Sequence, residues 1–365
     1  MKVTKFEIMH ADAGWRVFSF LKVLTDGGVV GWSEYNESYG SKGLSGVIEK
    51  LQPLVEGEDP LAHEHIYAKL YAATRQAPGG MLQQAIAAIE NALLDIKGKA
   101  LGVPVYTLFG GPCRDKLRLY WSHCGTYRVG PVHKHLERPE IRSLDDVAAM
   151  GREVRERGFT ALKTNIFLFD GQPRLHMPGF GRGAGGPDLN AERPVIEALK
   201  AQIGAFREGA GPEVDIQLDL NFNFRTEGYL QVARALDPLG LAWYEIDSYD
   251  PRALAHIRGH CNTPIASCES LFGTRGFKPF FEHGSMDVAI VDVPWNGIAQ
   301  SLKIAAMAEA YEVNVAPHNF YGHMSTLMSA HFCAASPNFR IMEIDIDDVP
   351  WKDDLVTVPP IIENG

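Results

Sequence analysis

VDIQLDLN (residues 214–221), LAWYEID (241–247) and TPIASCE (263–269) are three short apolar runs that each carry an acid near their end. The acids are Asp219, Glu245 and Glu269, and successive acids are 26 and 24 residues apart. This spacing accommodates one strand, one helix and their loops, which is the repeat of a β/α barrel. We therefore expect the three side chains to meet where the strands end, at one face of a barrel.

Three acids that converge without matching bases repel one another unless a cation lies between them. Asp219, Glu245 and Glu269 would supply hard oxygen ligands, which suit Mg²⁺ better than Zn²⁺. The alternative is three unrelated acids that cap the following helices. Because the acids occupy three consecutive units, the pattern favours a metal site.

Composition excludes several classes of protein. The chain has 365 residues and a net charge of −10, which argues against a nucleic-acid partner. Its five cysteines show no CxxC spacing, which is typical of a reducing compartment. No signal-peptide pattern and no apolar run of 18 residues is present. We expect a cytoplasmic protein that does not bind membranes.

The pattern along the chain predicts an α/β protein with two main parts. Residues 1–115 read as an α+β capping domain, with an antiparallel meander followed by helices. Residues 116–350 read as a barrel of eight strands and seven intervening helices, and 351–365 as a C-terminal segment that returns toward the capping domain. The predicted strands are LRLYWSHCG, FTALKTNIF, VDIQLDLN, AWYEID, TPIASCE, VAIVDV, NVAPHN and FRIMEID.

A long connection follows the second barrel strand. Residues 168–190 are rich in glycine and proline and carry Arg174, His176 and Arg182. Because a loop of this length is usually functional or disordered, it is either a lid that binds an anion or a flexible insertion. A lid would use Arg174 and His176 as substrate contacts.

Lys163 ends the second barrel strand, beside the strand of Asp219. A lysine buried there requires nearby negative charge, either from Asp219 as a structural pair or from a substrate carboxylate. Asn165 and Asn221 lie two residues beyond Lys163 and Asp219. The two-residue period of a strand directs both amides into the barrel mouth, where they can contact substrate.

His318 ends the seventh barrel strand and Asp292 ends the sixth. A carboxylate next to a histidine fixes its tautomer and raises its basicity, as a general base requires. A histidine packed in the core without a chemical role is the alternative. Glu343, at the end of the eighth strand, either binds substrate or closes the barrel floor. Together these groups predict removal of a proton next to a substrate carboxylate, with a metal stabilising the enediolate.

At this point the chain resembles the enolase superfamily, in its mandelate racemase and acid-sugar dehydratase branch. The similar segments include TDGGVVGWSE (25–34) and AIENALLDIKGKALGVPVYTLFGG (88–111). The resemblance implies a modified TIM barrel, (β/α)7β, with a capping domain and a homo-oligomer, either a dimer or an octamer. It also implies Mg²⁺ at the three acids and a His318–Asp292 dyad as base.

Departures from the family pattern narrow the reaction. Many relatives have Lys-x-Lys where this chain has Lys163-Thr164-Asn165. A neutral amide cannot accept the proton, so two-base racemisation loses one partner. The resulting hypothesis is a Mg²⁺-dependent dehydratase of a sugar acid; the alternative is an epimerase, racemase or cycloisomerase.

The acid that releases the β-hydroxyl is open at this stage. His318 can act as its own conjugate acid, and His123 and His176 are reserve candidates. We expect substrate choice to depend on the loops of the meander, where the candidate residues are Trp15, Arg16, Tyr35 and Tyr39. The alternative is that each of these side chains only packs against the protein and does not contact substrate.

Overall fold

The N-terminal part of the computed structural model, which describes residues 1–180 and 190–365, is an antiparallel sheet. Its strands are β1 (Val3–Asp12), β2 (Val17–Thr25) and β3 (Val30–Asn36), in that order. Gly28 has φ 76° in the turn between β2 and β3, a conformation that glycine adopts without steric cost. The predicted meander is confirmed.

Three helices follow this sheet: α1 (Leu44–Val55), α2 (His63–Ala73) and α3 (Gly80–Leu101). Helices α1 and α3 pack on the sheet, and α2 packs on these two helices. Helix α3 is buried along most of its length because it contacts both the sheet and the barrel. A Cβ at Gly31 would lie 2.1 Å from the carbonyl oxygen of Ala92, so glycine permits the close approach of β3 to α3. The helix ends at Gly102, whose φ of 67° is the left-handed conformation common at a helix C-terminus.

Eight parallel strands form the barrel, and a small hairpin lies outside it. The strands after the capping domain are β4 (Leu119–Ser122), β5 (Ala161–Thr164), β6 (Phe167–Leu168), β7 (Arg174–Leu175), β8 (Asp215–Asp219), β9 (Trp243–Glu245), β10 (Ile265–Ser267), β11 (Val288–Asp292), β12 (Asn314–His318) and β13 (Met342–Asp345). The barrel order is β12-β11-β10-β9-β8-β5-β4-β13, and β6 pairs only with β7. A bridge between Val315 and Phe339 links the two ends of the sheet.

Helices separate the barrel strands and cover them. They are α4 (Leu144–Glu156), α5 (Arg193–Ala210), α6 (Thr226–Leu236), α7 (Pro251–Arg258), α8 (Gly273–Glu282), α9 (Val293–Asn296), α10 (Ile298–Ala310) and α11 (His323–Ala335). The largest apolar cluster fills the space between strands and helices. A smaller cluster, including Tyr120 and Trp243, fills the barrel interior, so the barrel is packed and the site lies above its floor.

The last residues contact the capping domain and then the barrel. The Trp351 ring lies 6.2 Å from Phe18, and Leu355 packs against the cluster around Phe18. The carbonyl oxygen of Gly365 accepts a hydrogen bond from Leu119 at 2.9 Å. The boundaries 1–115, 116–350 and 351–365 stay a prediction. Within the described residues, no helix has the length and apolarity to cross a membrane.

Candidate active site at the barrel mouth

The register of the parallel strands brings the predicted metal ligands together. Asp219 of β8 is the direct partner of Glu245 of β9, and Glu269 follows the end of β10. Asp219 and Glu245 are buried, and Glu269 is nearly so. Burial raises the pKa of Asp219 and of Glu245, and the neighbouring carboxylates raise both further.

Lys163 lies among these acids. Its Nζ is 2.7 Å from Glu245, 2.9 Å from Glu343 and 3.7 Å from Asp219. Burial alone would lower the pKa of Lys163, but Glu245 and Glu343 raise it well above its ordinary value. The ammonium therefore stays charged, and the contact with Glu343 places this eighth-strand acid in the same cavity.

The His318–Asp292 pair has the geometry of an oriented imidazole. His318 Nδ1 lies 2.6 Å from Asp292 Oδ2, and Tyr321 donates its hydroxyl proton to the same oxygen at 2.5 Å. The backbone N–H of Trp295 donates to Asp292 Oδ1 at 2.8 Å. With Nδ1 committed to Asp292, Nε2 is the ring nitrogen that faces the cavity, 3.5 Å from Glu269.

The electrostatic setting of His318 favours the imidazolium. Burial lowers the pKa of His318, but the charges of Glu269 and Asp292 raise it well above its ordinary value. Any cation that neutralised Glu269 would therefore make it easier for His318 to act as a neutral base.

Asn165 and Asn221 form an amide pair beside the carboxylates. Asn165 Nδ2 donates to Asn221 Oδ1 at 3.1 Å, and Thr126 donates its hydroxyl to Asn165 Oδ1 at 2.8 Å. Both asparagines are buried. The position that holds a second lysine in many relatives therefore has a neutral, hydrogen-bonded group.

A second His–Asp pair lies across the mouth, at the end of β4. His123 Nδ1 is 2.9 Å from Asp345 Oδ1. Asp345 Oδ2 accepts from Tyr127 at 2.8 Å and from Arg16 at 3.0 Å. Burial raises the pKa of Asp345, but His123 and Arg16 outweigh it and lower that pKa to about 2. Sequence reasoning missed Asp345 because nothing local indicates that Arg16, 329 positions away, is its partner.

Phe320 connects the two histidines. Its ring centroid is 4.9 Å from that of His318 and 5.8 Å from that of His123. The two imidazoles therefore line the same cavity.

The four meander residues predicted to contact substrate differ in their distance from the barrel mouth. Arg16 reaches the barrel, Trp15 packs on Tyr127 with centroids 4.7 Å apart, and Tyr39 lies 5.8 Å from Phe320. Tyr35 instead packs in the capping-domain core, with its hydroxyl 2.7 Å from Ser45 Oγ. The packing alternative therefore describes Tyr35.

The two contacts predicted in the long connection are less closely tied to the site. Arg174 is exposed and its guanidinium pairs with Asp170, so the structure does not bring it to the strand-end acids. The backbone N–H of His176 donates to Ile166 at 2.9 Å, and its ring lies 6.1 Å from Phe224. Substrate contacts by Arg174 and His176 stay predictions, and Arg182 lies outside the described residues.

Another inward acid, Asp247, was also missed. It is buried, and neither carboxylate oxygen has a hydrogen-bond partner within the described part of the chain. The signal in the sequence was its position two residues after Glu245, which directs both side chains to the same face of the strand.

The chemistry of these groups can be tested against a divalent cation. Across residues 1–180 and 190–365, no three His, Cys, Asp or Glu side chains already stand in an arrangement that could hold a metal ion. Binding would require the carboxylates to turn from Lys163 toward a shared centre. The donor set nevertheless fits Mg²⁺, since it consists of carboxylates. The charge fits as well, because these acids outnumber Lys163 and His318.

The family profiles match most of the chain. The profile described as "Enolase C-terminal domain-like" matches residues 146–365, and the "Mandelate racemase / muconate lactonizing enzyme, N-terminal domain" matches residues 6–110. The chain belongs to this family. It is therefore an enzyme of the enolase superfamily, with the barrel and capping domain that the sequence predicts.

Curated family members include two sugar-acid enzymes. The D-xylonate dehydratase of Haloferax volcanii is 28% identical over 354 residues, covering 94% of this chain and 79% of that protein. The D-galactonate dehydratase of Xanthomonas campestris pv. campestris is 29% identical over 350 residues, covering 95% and 82%.

Solved family structures include a closer relative. A protein of Burkholderia xenovorans LB400, provisionally named an L-alanine-DL-glutamate epimerase and solved with magnesium and fumarate, is 50% identical. Its TM-score is 0.96, and the match covers 100% of this chain and 90% of that one. A protein of Zymomonas mobilis ZM4, provisionally named a dehydratase, is 30% identical with a TM-score of 0.84, covering 94% and 86%.

Proposed function

We propose that this enzyme is a Mg²⁺-dependent hydro-lyase that dehydrates a sugar acid to a 2-keto-3-deoxy acid. The observation that carries the proposal is an oriented base, His318 on Asp292, together with a neutral, hydrogen-bonded Asn165 at the position where many relatives carry a second lysine. One base can start an elimination, whereas racemisation through two bases needs a proton acceptor on each face. The D-xylonate and D-galactonate dehydratases among the relatives support the same reaction class.

The residues divide the reaction between them. The substrate carboxylate binds near Lys163, whose charge stabilises the more negatively charged enediolate relative to the carboxylate. His318 Nε2 takes the α-proton, and the electron pair of the broken C–H bond moves into the enediolate. As the pair returns to form the α,β double bond, the β-carbon loses its hydroxyl, which takes up a proton and departs as water. The enol then gains a proton at the β-carbon and loses the proton of its enol hydroxyl to give the 2-keto acid.

Asp219, Glu245 and Glu269 would hold the metal ion. When bound, Mg²⁺ would supply positive charge that stabilises the enediolate and lowers the barrier to α-proton removal. The B. xenovorans relative, which is 50% identical to this chain, was solved with magnesium bound. This supports the proposed metal ion in the present enzyme.

His123 is the proposed acid for departure of the β-hydroxyl. Its Nδ1 is held by Asp345, which leaves Nε2 for the substrate and stabilises the imidazolium that donates the proton. His123 and His318 both contact Phe320, so the two histidines can serve the α-carbon and the β-oxygen of one substrate.

The alternative is an epimerase or another isomerase that uses the same enediolate. The observation in its favour is the name of the B. xenovorans relative. In ²H₂O, an isomerase would place deuterium at the α-carbon without losing water.

We also propose that the enzyme is cytoplasmic and forms a homo-oligomer, either a dimer or an octamer.

A substrate screen tests the proposed function. Purified protein with Mg²⁺ is incubated with a library of aldonates and aldarates, and 2-keto acids are detected as semicarbazones. We expect a 2-keto product from at least one sugar acid. Metal-loaded protein that forms none across the library, or that incorporates deuterium while retaining the hydroxyl, contradicts the dehydratase.

A further inference from the structure

Asp247 differs from the other acids named at the barrel mouth in having neither a hydrogen bond nor an ion pair with any residue that the structure describes. The residue is 3% exposed, and both of its carboxylate oxygens are without a hydrogen bond from residues 1–180 and 190–365. By contrast, Asp292 is bound by His318 and Tyr321, and Asp345 by Arg16. Burying an unpaired carboxylate is costly, so a group that pairs with Asp247 would be strongly favoured.

The backbone directs Asp247 into the cavity. Leu220 donates to the carbonyl of Glu245 at 2.9 Å, and Asp247 donates to the carbonyl of Asn221 at 3.1 Å. The pairing of β8 with β9 thus continues for two residues beyond Glu245, and alternation places Glu245 and Asp247 on the same, inward face. Ile246, between them, packs in the cluster on the helix side, as this orientation requires.

Two predicted metal ligands share the inward face with Asp247. Glu245 lies two residues before it, and Asp219 lies two residues before Asn221, whose carbonyl oxygen accepts the hydrogen bond of Asp247. Lys163 is already paired with Glu245 and Glu343. A cation that served the three ligands would therefore satisfy Asp247 at the same time.

We propose that Asp247 is a fourth carboxylate of the Mg²⁺ site, beside Asp219, Glu245 and Glu269. The proposal rests on the proposed function, because it assumes that the ion binds among those acids. It adds a residue that controls affinity for the ion. Asp247 is thus an additional acid at the barrel mouth, located in the sequence between the second and third predicted ligands, Glu245 and Glu269.

Calorimetric titration of the whole protein with Mg²⁺ alone tests this role without a substrate. Asp247→Asn keeps the shape of the side chain and removes its charge, so we expect Mg²⁺ to bind at least about 10-fold more weakly. Asp215→Asn is the matched control, because Asp215 lies at the opposite end of β8 and pairs with exposed Arg118. This control should retain the affinity of the wild type.

The outcomes separate the two proposals. If the wild type and Asp247→Asn bind Mg²⁺ equally well, the proposed role of Asp247 is wrong and the proposed dehydratase activity is unaffected. Wild-type protein that binds no Mg²⁺ overturns both. Thermal melting in EDTA checks folding, and a lower melting temperature with unchanged Mg²⁺ affinity would show a purely structural role. If Asp247→Asn does not fold, the smaller Asp247→Ser takes its place with the same expected loss.

Discussion

Two imidazoles at the barrel mouth each hold a carboxylate on Nδ1, but their Nε2 atoms meet different surroundings. His318 Nε2 faces Glu269 at 3.5 Å, whereas the His123 side chain is 18% exposed and stacks on Tyr127. The first is next to the predicted metal ligands and the second is at the open side of the cavity. This difference supports the proposal that His318 removes the α-proton and that His123 donates a proton to the β-hydroxyl.

Replacing His318 should abolish proton removal. Asn in place of His318 can still bond Asp292 but cannot accept a proton at neutral pH. We expect exchange of the substrate α-proton with ²H₂O to fall by about 10²–10⁴-fold, measured by NMR on a sugar acid that the wild type converts. Mg²⁺ affinity should change little, because His318 is not a predicted ligand.

His256→Asn is the control for this experiment, since His256 is exposed on α7. It should exchange at the wild-type rate. Retained α-proton exchange in His318→Asn, with the fold intact, would mean that another group is the base.

Replacing His123 should separate the two halves of the reaction. We expect His123→Asn to continue α-proton exchange while elimination of the β-hydroxyl falls by about 10²-fold or more. A substrate with fluorine in place of the β-hydroxyl needs no proton to depart, so fluoride release should be much less affected. Equal losses for hydroxyl and fluoride would contradict an acid role.

At the scale of elements, sequence predicted the strands and helices of the barrel well. The apolar runs, their spacing and the acids at their ends depend on local pattern, and the register follows once the strands are parallel. Sequence could not identify which inward polar groups lack partners. Asp247 and Asn221 are both inward, but only the folded positions of their neighbours show that the amide is hydrogen-bonded and the acid is not.

Helix α3 carries a buried acid, Glu90, which lies against the first residues of α10. Glu90 accepts from the backbone of Ala299 at 3.2 Å and from Gln300 at 3.1 Å. Burial raises the pKa of Glu90 from 4.5 to about 7. Between these values the folded state binds more protons than the unfolded state, so stability falls as pH rises through this window.

Glu90→Gln should remove this pH dependence. We expect the wild type to lose up to about 3 kcal/mol of stability from this group between pH 4.5 and 7.5, and the variant to lack that part of the decline. Urea unfolding midpoints measured at several pH values give the difference between the two proteins. Parallel curves for wild type and variant across the window would show that Glu90 titrates normally.

At the scale of the whole molecule, a buried guanidinium is among the groups that the capping domain contributes to the site. Arg16 is 4% exposed in its side chain and lies 3.0 Å from Asp345 and 3.5 Å from Asp348. It also donates to the carbonyl of Phe320 at 2.6 Å. Since Asp345 orients His123, the position of the proposed acid depends on contact between the two domains. This dependence joins residues at opposite ends of the chain, which no local pattern indicates.

Arg16→Met should therefore affect stability and chemistry together. Removing one partner of a buried ion pair leaves a buried charge without compensation, and we expect a loss of about 3–5 kcal/mol in unfolding free energy. In an Asp345→Asn background the same change should cost about 1–3 kcal/mol less, because the two groups interact directly. Lys22→Met breaks a partly exposed pair with Glu7 in the same domain and should leave the unfolding free energy close to that of the wild type. Urea unfolding and the rate of β-elimination are measured for both single variants and the double variant. If the effects of Arg16→Met and Asp345→Asn are additive in both measurements, the capping domain does not hold His123 in place through Asp345.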